Sequence, residues 1–212
     1  MNSALARVAE SVLEADRLHF GWPGRPLFQG LSFRIPPGLS LVRGEDGCGK
    51  SSLIRLMAGD LVPRSGTLSI HGRRLDDQHD AYRQQAFWID PQTETHDDIS
   101  AAGYLERLSQ LHPRFNAEIL ADLVEGFALE PHLGKPMYML STGSKRKVWL
   151  SAAFAAGTPL TLIDQPFAAL DAPSLRFLTE LLQDAANHPS RAWVIADHEA
   201  PTGIMLASVI DL

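Results

Sequence analysis

Gly44-Glu45-Asp46-Gly47-Cys48-Gly49-Lys50-Ser51 is the stretch on which the fold turns. It follows the spacing G-x-x-x-x-G-K-[ST], and the flanks supply the strand and helix that this spacing requires. Pro36-Pro37-Gly38 turns the chain into Leu39-Ser40-Leu41-Val42, an apolar run that reads as a strand, and Lys50 to Ala58 carries a helical pattern. Glycines let the intervening backbone curl so that successive N–H groups face one point, and the helix start adds positive potential there. Phosphate oxygens suit that point. Lys50 is expected to meet terminal phosphates and Ser51 to ligate a magnesium ion, with Gly44, Glu45, Asp46, Gly47, Cys48, Gly49 and Ser52 completing the nucleotide contacts.

Outward from the loop, Leu18, Phe20 and Trp22 alternate with His19 and Gly21, and Leu31, Phe33 and Ile35 alternate with Ser32 and Arg34. That two-residue period predicts two half-buried strands, and Gly66 to Gly72 alternates in the same way between turn residues. Ile119, Leu120, Leu123, Val124 and Phe127 share one helical face, so the middle of the chain is expected to be helical. Leu160 to Ile163 and Trp193 to Ala196 are short apolar runs, separated by a helix that starts near Pro173 and turns Leu175, Leu178, Leu181 and Leu182 inward. These predict buried parallel strands joined by a crossover helix.

Composition narrows the class. The 212 residues suffice for one core with an attached subdomain, and 45% are hydrophobic, as in an ordinary globular chain. With 19 basic against 25 acidic residues the net charge is −6, which argues against a broad nucleic-acid surface. Cys48 stands alone, so no internal disulfide forms, and Met1 to Glu10 lacks the pattern of a secretory signal; a cytoplasmic location is the expectation. Val148 to Ile163, the most apolar stretch, is broken by Gly157-Thr158-Pro159 and falls short of the ~20 residues of a spanning helix. Any membrane role then comes through a partner. Lys145-Arg146-Lys147, at a helix start, is expected to be a solvated face rather than a nucleic-acid patch.

Several further elements occur in an order that resembles the ATP-binding cassette (ABC) family over nearly the whole chain. Leu140-Ser141-Thr142-Gly143-Ser144 resembles the family signature and precedes a helix expected from about Lys145 to Ala156. Leu160-Thr161-Leu162-Ile163-Asp164 resembles the strand whose terminal aspartate holds the magnesium shell, and Gln165-Pro166-Phe167-Ala168-Ala169-Leu170-Asp171 continues the pattern to the aspartate of the dimer loop. Asp197-His198 resembles the end of the switch strand, with His198 at the terminal phosphate. Gln92 resembles the magnesium-linked glutamine between core and helical lobe, and Trp22 the aromatic that stacks on adenine.

The resemblance implies an α/β P-loop NTPase cassette with a mixed β-sheet core, an antiparallel β edge and an inserted helical subdomain. Residues 1–212 would be a single domain, with 1–91 and 157–212 as nucleotide-binding core and 92–156 as helical signature subdomain. It implies ATP and Mg²⁺ as ligands, and Ser141, Thr142 and Gly143 reaching the nucleotide of a second cassette subunit, identical or different. It also implies a transmembrane permease partner on the inner face of the membrane, no nucleic acid, and a likeness to compact exporter cassettes such as the haem-exporter ATPases of cytochrome c maturation. Gln165 departs from the pattern, since the family places there a glutamate that polarises the attacking water. An amide does not accept that proton, and losing a general base costs roughly 10²–10⁴ in rate. Two rival readings follow: a non-transport cassette acting on nucleic acid or ribosomes, whose usual tandem cassettes and basic tails are not visible here, and a near-inactive cassette paired with an active one.

Overall fold

A computed structural model describes residues 11–212; the reading of Met1 to Glu10 falls outside them. Nine strands and six α-helices follow in the order β1 (Leu13–Trp22), β2 (Arg25–Ile35), β3 (Gly38–Arg43), α1 (Lys50–Met57), β4 (Ser65–Ile70), β5 (Arg73–Arg74), α2 (His79–Arg83), β6 (Ala86–Phe87), α3 (Ala101–Leu111), α4 (Ala117–Gly126), α5 (Thr142–Ala155), β7 (Leu160–Asp164), α6 (Ala172–Ala186), β8 (Ala192–Asp197) and β9 (Ser208–Asp211) among the described residues.

The strands divide into two sheets. One is antiparallel in the order β2-β1-β4-β5; the other runs β6-β7-β8-β3-β9, with every pairing parallel. The mixed α/β architecture expected of a P-loop NTPase is therefore present. In the parallel sheet the central strands β3, β7 and β8 are buried on both faces, which is why they read as continuous apolar runs. Between the two sheets and α1 lies one core, holding Leu18, Phe28, Leu53, Met57 and Val194. A second fills the space between the parallel sheet and the helices, with Leu41, Phe127, Val148, Leu178 and Ile195. Two packed layers on either face of one sheet hold all three strand ends that carry candidate residues in fixed relation.

Local chemistry accounts for where the helices start. Asn116 Oδ1 accepts from the N–H groups of Glu118 and Ile119 to cap α4, and Asp171 Oδ1 accepts from Ser174 N–H to cap α6, with Pro173 in the first turn. Helix α5 begins at Thr142 rather than near Lys145, because Ser141 Oγ accepts from Ser144 N–H at 3.1 Å and caps it there. Strand β1 begins at Leu13, five residues ahead of the alternation that starts at Leu18. Arg17, at φ 48°, sits in an irregularity of the pairing between Ala15 and Leu18, so the inward series Leu13, Ala15 resumes as Leu18, Phe20 one residue out of phase.

Candidate nucleotide site

The site forms where β3 gives way to α1. Gly47 and Gly49 adopt φ values of 73° and 116°, conformations that L side chains rarely take, and these curl the loop around its own centre. Gly49 is also the residue before α1, and having no side chain it leaves the first-turn N–H groups without a side-chain cap. Those unpaired donors and the helix dipole make an anion seat. Lys50 is only 6% exposed, and its Nζ donates to the carbonyl oxygens of Gly44 at 2.6 Å and Glu45 at 3.0 Å. The ammonium group is thereby held across the mouth of the loop. Arg25 on β2 donates from Nη2 to Gly47 O at 2.6 Å and braces the loop from outside.

These residues line an open cleft of about 220 Å³, shared by Trp22, Arg25, Leu27, Asp46, Gly47, Gly49, Lys50, Ser51, Ser52 and Gln165. Trp22 is 42% exposed at the strand end, its ring edge-on to Phe20 with centroids 5.5 Å apart and its Nε1 donating to Ser52 Oγ at 3.3 Å. It stands in the cleft rather than in the core. Asp164, which ends β7 next to Ser51, lies just outside that lining, and its Oδ1 is buried without a hydrogen-bond partner among the described residues. Burial raises the Asp164 carboxyl pKa above its ordinary value, while the facing Ser51 hydroxyl, Arg146 and Lys50 draw it back and Asp197 adds to the rise. A buried carboxylate oxygen with no partner, next to a hydroxyl, is a set of hard oxygen donors that fits a magnesium ion. Ser51 and Asp164 would hold it there, and the ion would neutralise charge on adjacent phosphates.

Not every candidate residue reaches this cleft. His198 follows β8, and its Nε2 lies 3.2 Å from Asp46 Oδ1 on the loop. Cys48 is half-buried within the loop, with its Sγ against Gly44. Gln92 is exposed outside the cleft lining, its N–H donating to Asp90 Oδ1 at 2.9 Å. Ser141, Thr142, Gly143 and Asp171 form a second group beyond the cleft. Gly143 packs so closely on the Ala169 carbonyl oxygen that a Cβ would overlap it, and Lys147 Nζ meets Asp171 Oδ2 at 2.7 Å. The turn from Gln165 to Ala169 joins the two groups, and both of those residues hold positive φ, 48° and 60°.

A sequence model described as "ABC transporter" matches residues 28–168, well over half of the chain. The chain belongs to this family. A cytochrome c biogenesis ATP-binding export protein, CcmA, from Pseudomonas syringae pv. syringae is 31% identical over 183 residues, covering 85% of each chain. The CcmA of Paramagnetospirillum magneticum is 32% identical over 206 residues, covering 95% of this chain and 88% of the relative. Among solved structures, an ATP-binding subunit of an ABC transporter superposes with a TM-score of 0.79 at 27% identity, over 89% of this chain and 80% of that one. The cassette is accordingly an ABC transporter ATP-binding subunit with a likeness to CcmA, from a family of ATP-hydrolysing enzymes. None of its described helices is long and apolar enough to cross a membrane.

The cassette corrects one expectation of the sequence. Lys145-Arg146-Lys147 is no solvated face: Lys145 Nζ pairs with Asp97 Oδ1 at 2.7 Å, Lys147 pairs with Asp171, and Arg146 is 8% exposed. Arg146 Nη1 donates to the carbonyl oxygens of both Asp164 and Gln165 at 2.9 Å, so it fixes the backbone on which the magnesium candidate and its neighbour stand. Its partners lie 18 and 19 residues away, which no helical periodicity reveals. Arg25 was missed for the same reason, its carbonyl partner lying 22 residues on.

Proposed function

We propose that this chain binds Mg-ATP in the cleft between the phosphate loop and Asp164, and that two cassettes close on two nucleotides to drive a membrane permease. The observation that carries the reading is the buried, unpartnered Asp164 Oδ1 facing Ser51, beside a loop whose lysine is already held across its mouth. In this reading the loop N–H groups and Lys50 bind the phosphates, Trp22 stacks on the base, and His198 reorients from Asp46 toward the terminal phosphate. Ser141, Thr142 and Gly143 close on the nucleotide of the second subunit, with Asp171 beside them, and movement of residues 92–156 as a helical lobe brings Gln92 to the metal.

Gln165 lines the cleft, its N–H anchored on Ala196 O at 2.9 Å, where the resemblance calls for a proton-accepting glutamate. Its amide positions water without taking its proton, so hydrolysis is slow and the closed pair long-lived. If the partner cassette carries a glutamate, this chain supplies the slow site and its signature completes the fast one. The permease contact is proposed at the notch between α3 and Trp88-Ile89, about 230 Å³, which Trp88, Ile89, His96 and Tyr104 line. Such a contact puts the chain at the inner face of a membrane. The role for which the CcmA relatives are named, export in cytochrome c biogenesis, is the transport step proposed for it.

Calorimetric titration with ATP, with and without magnesium, tests the site. Lys50→Ala should abolish measurable affinity, and Asp164→Asn should remove the magnesium dependence while leaving metal-free binding. Undiminished Mg-ATP binding in both variants would place the nucleotide elsewhere.

A further inference from the structure

Pro23 and Gly24, the latter at φ 74°, turn β1 into β2. The tight turn sets Trp22, the last residue of β1, directly opposite Arg25, the first of β2. Directly opposed residues of an antiparallel pair project from the same face, with Cβ atoms about 5 Å apart. Both side chains fasten on the phosphate loop and the helix after it: Trp22 Nε1 donates to Ser52 Oγ at 3.3 Å, and Arg25 Nη2 to Gly47 O at 2.6 Å. The approach at Gly47 is close, since a Cβ added there would stand 3.3 Å from Nη2. A hydrogen bond through one of its five N–H donors thus holds the guanidinium at the loop.

Arg25 and Lys50 are the two basic residues in the lining of the cleft, and they differ in what is left free. Lys50 is buried, with two loop carbonyl oxygens holding its ammonium group. Arg25 is exposed, and Gly47 O is its one hydrogen-bond acceptor among the described residues. The only carboxylate of the lining, Asp46, has its Oδ1 3.2 Å from His198 Nε2. A guanidinium fixed at one N–H, with the rest of its planar fork unpaired, is a preorganised donor to phosphate oxygens.

The order of groups along a nucleotide selects the phosphate. With the base on Trp22 and the terminal phosphates at Lys50, the ribose and the first phosphate must pass the residue paired with Trp22. Of those two groups only the phosphate is charged, and a cation gains more from it. We infer that Arg25 binds the α-phosphate, the one next to the ribose, so that the cleft holds the phosphate chain with a cation at each end. The inference rests on the reading of the cleft as an ATP site and adds a binding residue to it.

Calorimetric titration of the full chain with Mg-ATP, Mg-ADP and the two diastereomers of α-thio-ATP, in which sulfur replaces one or the other non-bridging α-oxygen, tests it. Arg25→Gln should weaken ATP and ADP alike, by roughly tenfold, since both carry the α-phosphate. Arg25→Lys, which keeps the charge without the fork, should recover part of that loss. Sulfur accepts a hydrogen bond less well than oxygen, so the unsubstituted chain should bind one diastereomer more tightly than the other, and Arg25→Gln should narrow the difference. A residue that only braced the loop would weaken both diastereomers by one factor and leave their ratio unchanged. That result, equal binding of the diastereomers by the unsubstituted chain, or an ATP affinity unaltered in Arg25→Gln overturns the inference and leaves the nucleotide site standing. Absence of ATP binding by the unsubstituted chain overturns both.

Discussion

Gly143→Ala sets two physical effects against each other with opposite signs. Gly143 is the second residue of α5, where replacing glycine by alanine gains up to ~1 kcal/mol from helix propensity alone. A Cβ at this position, however, would overlap the Ala169 carbonyl oxygen, a backbone atom in a turn whose residues Gln165 and Ala169 already hold positive φ. Because no flexible side-chain tip can swing away, the overlap must shift the helix start or the turn, and overpacking of that kind costs ~1–3 kcal/mol. The clash outweighs the propensity, leaving a net loss of about 1–2 kcal/mol. At roughly 2–4 °C per kcal/mol for a chain of this size, the melting temperature should fall by about 2–8 °C. Thermal unfolding without nucleotide reads this directly, and Gly134→Ala, with nothing within 4 Å of its added Cβ, serves as the control. A Gly143→Ala protein as stable as the control, or more so, would show that the signature helix does not rest on the Gln165–Ala169 turn.

Three further outcomes follow from side chains around the same elements. The Lys147 ammonium beside Asp171, together with the hydrogen bonds from Ser174, holds the Asp171 carboxyl well below the usual carboxylate range. The stabilisation is thus complete above the unfolded value of ~3.9 and lost as pH falls below it toward the folded one, so Asp171→Asn should flatten that part of the acid limb in denaturant midpoints taken from pH 5 to 2. Asp171→Ala should cost ~1 kcal/mol at pH 7 through loss of the α6 cap, measured by urea unfolding. Cys48, half-buried in the loop, should react with a maleimide in the nucleotide-free protein and be protected by Mg-ATP; labelling that ATP leaves unchanged would detach the loop from the nucleotide.

Much of this was legible in the sequence because it is local. The glycine spacing of the phosphate loop, the apolar runs of β3, β7 and β8, and the helix start near Pro173 all act within a few positions of themselves. What escaped depends on distant partners. Arg146 is buried because two carbonyl oxygens of the β7 end receive it, and a charge run cannot announce acceptors on another strand. The bulge at Arg17 hid the first half of β1 by shifting its alternation by one residue. Ile119 shares an apolar helical face with Leu123, yet it is left at the wall of an open cavity, since periodicity sets a direction without saying whether anything fills the space.

The central claim is that the cleft holds Mg-ATP while Gln165 withholds the base, and steady-state ATPase rates of the unsubstituted chain and Gln165→Glu test it most directly. With Lys50, Ser51 and Asp164 unchanged, both proteins should bind Mg-ATP alike. Restoring the carboxylate should then raise turnover by roughly two to four orders of magnitude and shorten the lifetime of the ATP-bound pair. Rapid hydrolysis by the unsubstituted chain, unaltered by Gln165→Glu, would contradict the account and assign the activation of water to another residue.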